Sequence, residues 1–245
     1  MCTVSAFYDQ SGLVVTMNRD EQRTRHEALP IVSQTMLYPV DEKQGGTWMG
    51  GNHNQVIMCL LNLYEHEYFV GEQSRGNIIP ELLELKSFDA ITVFLQSQFD
   101  PYLYSAFSLL TFYKNQVFKS KWDGISFTHE LSNLDPWYFF TSSGLDSLNV
   151  QSGRHILFDQ YKTKGADFKQ ASKPTSIPSI HLTYVKGNET QSCFVQRLKV
   201  HTKSICQYYA DEKTIKFHYY PENLIVEYIN NPTINPSLSK VFFLE

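Results

Sequence analysis

The chain has 245 residues, 42% apolar and 14% aromatic, enough to bury one large core, and a single domain over residues 1–245 is expected. Its net charge of −4 and isoelectric point near 6.1 supply no basic field for nucleic acid or an anionic membrane surface. The longest apolar run, Val56 to Leu61, is too short to span a bilayer, and no basic stretch followed by an apolar one opens the chain, so a soluble, cytoplasmic protein is expected.

Residues 2–9 and 13–18 are rich in Val, Thr, Phe and Tyr, and Gln10-Ser11-Gly12 between them is a turn signal, which predicts a tight β-hairpin. Strand-like runs follow at 36–40, 46–49 and 55–62. Two helices come next. Ile78, Ile79, Leu82 and Leu83 carry the first over 76–86; Ser87 caps the second, in which Ile91, Phe94, Leu95 and Phe99 recur at helical spacing. Strands at 105–113, 115–122 and 137–142 lead to a third helix over 150–163. The polar stretch 162–178, punctuated by Pro174 and Pro178, predicts a surface loop. Runs at 179–186, 192–197, 200–209, 214–219 and 223–229 are expected to be strands completing a sheet. Within them, Tyr208-Tyr209 to Tyr219-Tyr220, turning at Asp211-Glu212, looks like an aromatic sheet edge. Helices amid antiparallel strands predict α+β layers.

The hairpin has a chemical consequence. A three-residue turn sets Cys2 opposite Asp20, whereas a two-residue turn at Gln10-Ser11 sets it opposite Arg19. Either register brings the run Asn18-Arg19-Asp20-Glu21 beside the chain start, because opposed Cβ atoms lie roughly 5 Å apart. Once Met1 is removed, Cys2 carries a thiol and a free α-amine, and the amine can serve as the base that activates the thiol. Asp20 would hold the ammonium in place, and Arg19 would favour the thiolate. The plain alternative is a solvated charge cluster at a hairpin end, with Cys2 a small apolar residue.

Other candidates are weaker. Gly45-Gly46-Thr47-Trp48 suits either a cleft wall, where glycines admit a close approach and Trp gives an aromatic face, or a turn into a strand whose Trp is core. Arg75, before a helix, suits an exposed anchor at the helix start or a contact to an anionic ligand. Cys59 and Cys206 lie in apolar strand patterns and are expected to be packing residues. No Cys or His spacing fits a metal site or covalent haem attachment, so no metal is expected.

Met1-Cys2, Asn18-Arg19-Asp20-Glu21, Gly45-Gly46-Thr47-Trp48, Leu61-Asn62 and Ser74-Arg75-Gly76, in this order and spacing, resemble the NRDE family, also called the transport and Golgi organisation protein 2 family. The resemblance implies an Ntn-hydrolase-like αββα four-layer sandwich, with two antiparallel sheets flanked by helices. More distantly it is similar to the choloylglycine hydrolase and penicillin V acylase group. Carried over, it makes Cys2 the nucleophile, Asp20 the carboxylate beside the amine and Asn62 an oxyanion donor, with Arg19 supporting the charge. Asn18, Gly46, Thr47, Trp48, Arg75, Ser143 and His201 are then the candidate ligand-binding residues. The acylase arginine before Asn-X-Asp falls at Met17, Ser143 stands where the related families carry Asn, and the late Arg-Thr-Asn reads His201-Thr202-Lys203.

Two functions follow as expectations. One is an N-terminal-cysteine amidohydrolase acting on a small acylated amide, requiring no cofactor. The other is a non-catalytic binding or trafficking protein for haem or an acyl-CoA-type lipid cofactor. Both imply a small-molecule ligand; no protein partner is readable.

Overall fold

A computed structural model describes residues 2–64, 69–163 and 176–243. Its opening hairpin pairs β1 (Cys2–Asp9) with β2 (Gly12–Gln22), Asp9 opposite Gly12, so the turn has the two residues Gln10 and Ser11. Asp9 Oδ1 accepts from the Ser11 backbone N–H at 2.7 Å and so stabilises that turn. Cys2 therefore stands opposite Arg19. Gly12 is needed because of a neighbour: it adopts φ 134°, and a Cβ there would come within 2.2 Å of the Ala210 carbonyl oxygen.

The hairpin sits inside a six-stranded antiparallel sheet ordered β10-β1-β2-β11-β12-β13, with β10 (Trp137–Ser142), β11 (Val200–Ala210), β12 (Thr214–Pro221) and β13 (Leu238–Phe243). The second sheet has seven antiparallel strands in chain order: β3 (Glu27–Val32), β4 (Met36–Asp41), β5 (Met49–Asn52), β6 (Ile57–Asn62), β7 (Phe107–Tyr113), β8 (Gln116–Trp122) and β9 (Phe127–Asn133).

Strand alternation explains how the sheets stack. Val4, Ala6, Leu13, Val15 and Met17 share a core with Leu37, Ile57, Cys59, Leu61 and Leu110 of the second sheet. The helices α1 (Ile78–Leu83) and α2 (Phe88–Ser97) cover the second sheet's outer face through Ile78, Ile79, Ile91 and Leu95. The first sheet's outer face is covered by α3 (Ser147–Thr163) and α4 (Glu222–Asn230), through Phe158, Tyr161, Ile225 and Tyr228. The result is the expected α+β, αββα sandwich. Ser87 caps α2, accepting from Ala90 N–H at 3.1 Å.

Several expected elements differ. Residues 222–230 form a helix, because Ile225 and Tyr228, three apart, turn one face onto Tyr220 and Ile205. The 179–186 run holds a short 3-10 turn over Ser179–Leu182, and 192–197 stays outside the sheet, because β11 occupies the place beside β2. Gly46 to Trp48 precede the strand, which starts at Met49. The Tyr208 hairpin is not an edge, since β13 pairs along β12. Strands β3, β9 and β13, absent from the sequence reading, are all sheet edges; half of each faces solvent, which mutes the apolar alternation. Most of the 162–178 loop lies outside the described residues.

The glycine motifs meet back to back. A Cβ on Gly46 would lie 2.6 Å from Gly76 Cα, and one on Gly76 would lie 2.8 Å from Gly46 Cα. Thr47 N–H donates to Gly76 C=O at 2.9 Å across this contact. Gly76→Ala is expected to destabilise the protein by about 1–3 kcal/mol in urea unfolding; an unchanged midpoint would mean that the two backbones do not touch.

Candidate active site

Cys2 begins β1 and is bracketed by Arg19 on β2 and Ser142 on β10. Its side chain points between the sheets into a cavity of about 120 Å³, lined also by Arg19, Asp20, Gly46, Thr47, Trp48, Asn62 and Arg75. Of the eleven candidate residues, these eight, Cys2 included, meet at one place although they come from five stretches of chain. Burial pushes the Cys2 thiol up, with the Asp20 charge pushing the same way and the Asp20 backbone N–H and Arg19 pulling down. A resting thiolate is therefore disfavoured.

Arg19 projects toward the cavity but is heavily engaged. Its guanidinium lies 4.3 Å from the Trp48 ring centroid, donates to Glu27 at 2.8 Å and forms a very close ion pair with Asp41. Asp41 in turn accepts from Arg25 Nε at 2.7 Å. Burial works against ionisation of Asp41, but the Arg25 hydrogen bond and the Arg19 charge outweigh it and hold its carboxyl below the usual range. Thus Arg19 spends most of its charge on carboxylates, leaving little for a thiolate.

Asp20 is 2% exposed. The β2–β11 register slips between Thr202 and Ser204, so Lys203 is skipped and Thr202 pairs with Asp20. There Thr202 Oγ1 donates to Asp20 Oδ1 at 2.7 Å. Burial pushes the Asp20 carboxyl up, against the Arg154 charge, the amino terminus and the Thr202 hydrogen bond. Asn62 ends β6, and its side-chain amide makes no hydrogen bond to a described residue, which leaves its N–H groups available to a ligand.

Three expected ligand residues lie elsewhere. Asn18 alternates onto the helix side, donating to the His181 and Cys193 carbonyls, both at 2.8 Å, while its Oδ1 accepts from His181 Nδ1 at 2.7 Å. Ser143 Oγ donates to Leu145 C=O at 2.7 Å and forms the turn after β10. His201 is buried, with Nε2 2.7 Å from the Glu222 carboxylate of α4. Met17, at the acylase arginine's position, is fully buried in the inter-sheet core.

Two residues lie outside the candidate set read from the sequence. One is Thr202, whose role depends on the bulge. The other is Arg154 of α3, fully buried, which donates to Thr141 Oγ1 at 2.8 Å and to Thr3 Oγ1 at 3.2 Å. Thr141 Oγ1 donates to the Cys2 carbonyl at 3.1 Å, so Arg154 steadies the Cys2 backbone from behind the sheet. Arg154 belongs to no local pattern that would mark it, and Thr202 is the middle residue of the altered triplet His201-Thr202-Lys203, in which only His201 is a candidate. Among the described residues, no group of three His, Cys, Asp or Glu could hold a metal ion.

His181 also accepts from Ser5 Oγ at 2.7 Å on Nε2. It has zero exposure, and burial pulls it down to about 3. Residues 1–170 match the sequence profile of the family described as Transport and Golgi organisation 2. No curated protein sequence matches the chain. Among solved structures, two variants of the conjugated bile acid hydrolase from Clostridium perfringens share the fold. One has TM-score 0.53 at 10% identity, covering 100% of this chain and 97% of that one. The other has TM-score 0.52 at 9% identity, with the same coverage. Penicillin V acylase from Agrobacterium tumefaciens gives TM-score 0.49 at 7% identity, covering 91% of this chain and 86% of that one. The two bile acid hydrolase structures are Ntn hydrolases, and at such identities the likeness speaks to the fold alone.

Because the folded His181 refuses a proton that the unfolded chain takes up near its ordinary 6.5, its contribution to stability is complete above that value and is lost as pH falls toward about 3. Across that window wild type is expected to lose about 1.4 kcal/mol per pH unit more than His181→Gln. Parallel pH profiles in urea unfolding would show that the buried imidazole carries no such penalty.

Proposed function

This chain belongs to the Transport and Golgi organisation 2 family, and from that premise we propose that it is an N-terminal-cysteine amidohydrolase acting on a small acylated amide, on one domain spanning residues 1–245. The observation that carries the reading is the convergence of Cys2, Asp20 and Asn62 on one cavity between the sheets. After Met1 is removed, the Cys2 α-amine takes the thiol proton as Sγ bonds to the amide carbonyl carbon. Asn62 donates to the oxyanion that forms. Collapse breaks the C–N bond, and the ammonium proton leaves with the amine. Water then cleaves the thioester, the same amine accepting its proton and returning it to sulfur as the acid departs. Asp20, fixed by Thr202, orients the amine.

Because burial raises the Cys2 thiol, as it does Cys59, Cys193 and Cys206, this reading requires general-base removal of the thiol proton during attack, which the α-amine supplies. Cys2→Ala is expected to abolish amine release from N-acyl amides. Asn62→Ala should lower kcat by about 10²–10³. Turnover by Cys2→Ala equal to wild type would overturn the reading.

A second reading, binding of haem or an acyl-CoA-type lipid without turnover, draws on a groove of about 600 Å³ beside the cavity, walled by Tyr64, Leu145, Leu198 and Val200. Met17, Ser143 and His201 at altered family positions also fit it. No His among the described residues lines cavity or groove, so a haem held there would rely on Cys2 or on contacts to its periphery. Saturable haem or acyl-CoA binding unchanged in Cys2→Ala, with no amide hydrolysis by either protein, would select this reading.

A further inference from the structure

A groove of about 760 Å³ opens at the end of the sandwich opposite Cys2. β6 starts beside it, just after Gln55, and ends at Asn62 in the Cys2 cavity. The groove walls include Phe88 and Tyr113, stacked at 5.7 Å, together with Phe242, Phe243 and the Asp89 carboxylate, and no Lys or Arg among the described residues lines it. Asp89 stands in the first turn of α2, where its full negative charge outweighs the roughly half positive charge of the helix end. No Lys or Arg pairs with it within 4.0 Å among the described residues. A carboxylate beside aromatic faces suits a cation.

Phe242 and Phe243 end β13, the outermost strand of its sheet. β12 pairs along one side of β13, and no backbone hydrogen bond leaves the other side among the described residues. An open edge is a template for a further strand unless the fold protects it. β3 is protected by Pro30 and a shift in its pairing, β9 by the exposed Glu130, and β10 by having no exposed residue. β13 has no proline, shift or carboxylate, and Ser239, Lys240, Val241 and Phe243 are exposed. Lys240 has no carboxylate within 4.0 Å among the described residues. An exposed cation and an exposed anion thus stand at one sheet edge, each without an ionic partner among those residues.

Self-pairing brings the two charges together. Antiparallel addition of β13 to a second copy, with Val241 on the twofold axis, sets Lys240 opposite the partner's Phe242 and Ser239 opposite the partner's Phe243. Opposed residues share a face of the sheet, so each Lys240 stands beside the groove that the partner's Phe242 lines. We propose that this chain forms a twofold dimer through β13, in which the two six-stranded sheets join into one and each Lys240 enters the partner's groove to pair with the partner's Asp89. The interface is isologous, so both contacts form at once and β13 keeps no open edge. It is remote from Cys2 and independent of the reaction proposed there.

Sedimentation velocity of the full chain over a concentration series tests this. Wild type is expected to sediment as a dimer that dissociates on dilution. Lys240→Glu and Asp89→Lys, both at exposed positions, should each weaken the dimer about tenfold or more, because each change acts at two contacts. The double variant, with the charges exchanged, is expected to return to within about threefold of wild type. Val241→Lys, which sets like charges on the axis, should leave only monomer. A wild type that stays monomeric at about 100 µM would overturn the inference. So would a dimer that Val241→Lys leaves intact, single variants that dimerise as wild type does, or a double variant no stronger than the singles.

Discussion

The register of one hairpin governs this site. A two-residue turn at Gln10-Ser11 sets Cys2 opposite Arg19, and strand alternation then decides the fate of every residue in the Asn18 to Glu21 run. Cys2 and Arg19 face the second sheet. Asn18 faces the helix layer and fastens the 181–193 segment over the sheet. A one-residue slip would set Cys2 and Arg19 on opposite faces of the sheet, carrying one of the two away from the cavity. Gly12, pressed against Ala210, helps to keep that slip from occurring.

Around this register the motifs depend on one another physically. The Arg19 guanidinium rests on Trp48, so the first motif's cation lies against the second motif's ring. Gly46 meets Gly76, which ties the Trp48 segment to the Arg75 segment. Arg154 steadies Cys2 through Thr141 from the opposite face of the sheet. These ties hold charged groups around a small cavity, where replacing water with fixed partners would otherwise be unfavourable. Asp20 is the exception, because its carboxyl is raised by burial in spite of Arg154 and Thr202. That pattern is common where a group is kept for chemistry at some cost in stability.

Much of the fold was legible in the sequence because hairpin composition and motif order survive in a linear reading. The αββα class came from the resemblance, while Ser87 and the apolar periodicity located the central helices directly. Local signals failed where partners are remote. Thr202 reaches Asp20 across 182 positions and only through a bulge, and Arg154 reaches Thr3 across 151. Residues 222–230 carry Ile225, Val226 and Ile229, whose β-branching imitates a strand, and only packing against Tyr220 fixes them as helix. The site residues divided along the same line. Eight of the eleven gathered in the cavity, whereas Asn18 is taken up by the His181 and Cys193 carbonyls, Ser143 by a local turn and His201 by Glu222.

The central claim is that Cys2 acts as the first residue of the working protein, with its own amine as the base. Intact mass of protein purified from its native host tests this most directly. The account predicts a mass short by one methionine, with Cys2 at the amino terminus. A mass that retains Met1 would contradict it, because no free Cys2 amine would exist to take the thiol proton.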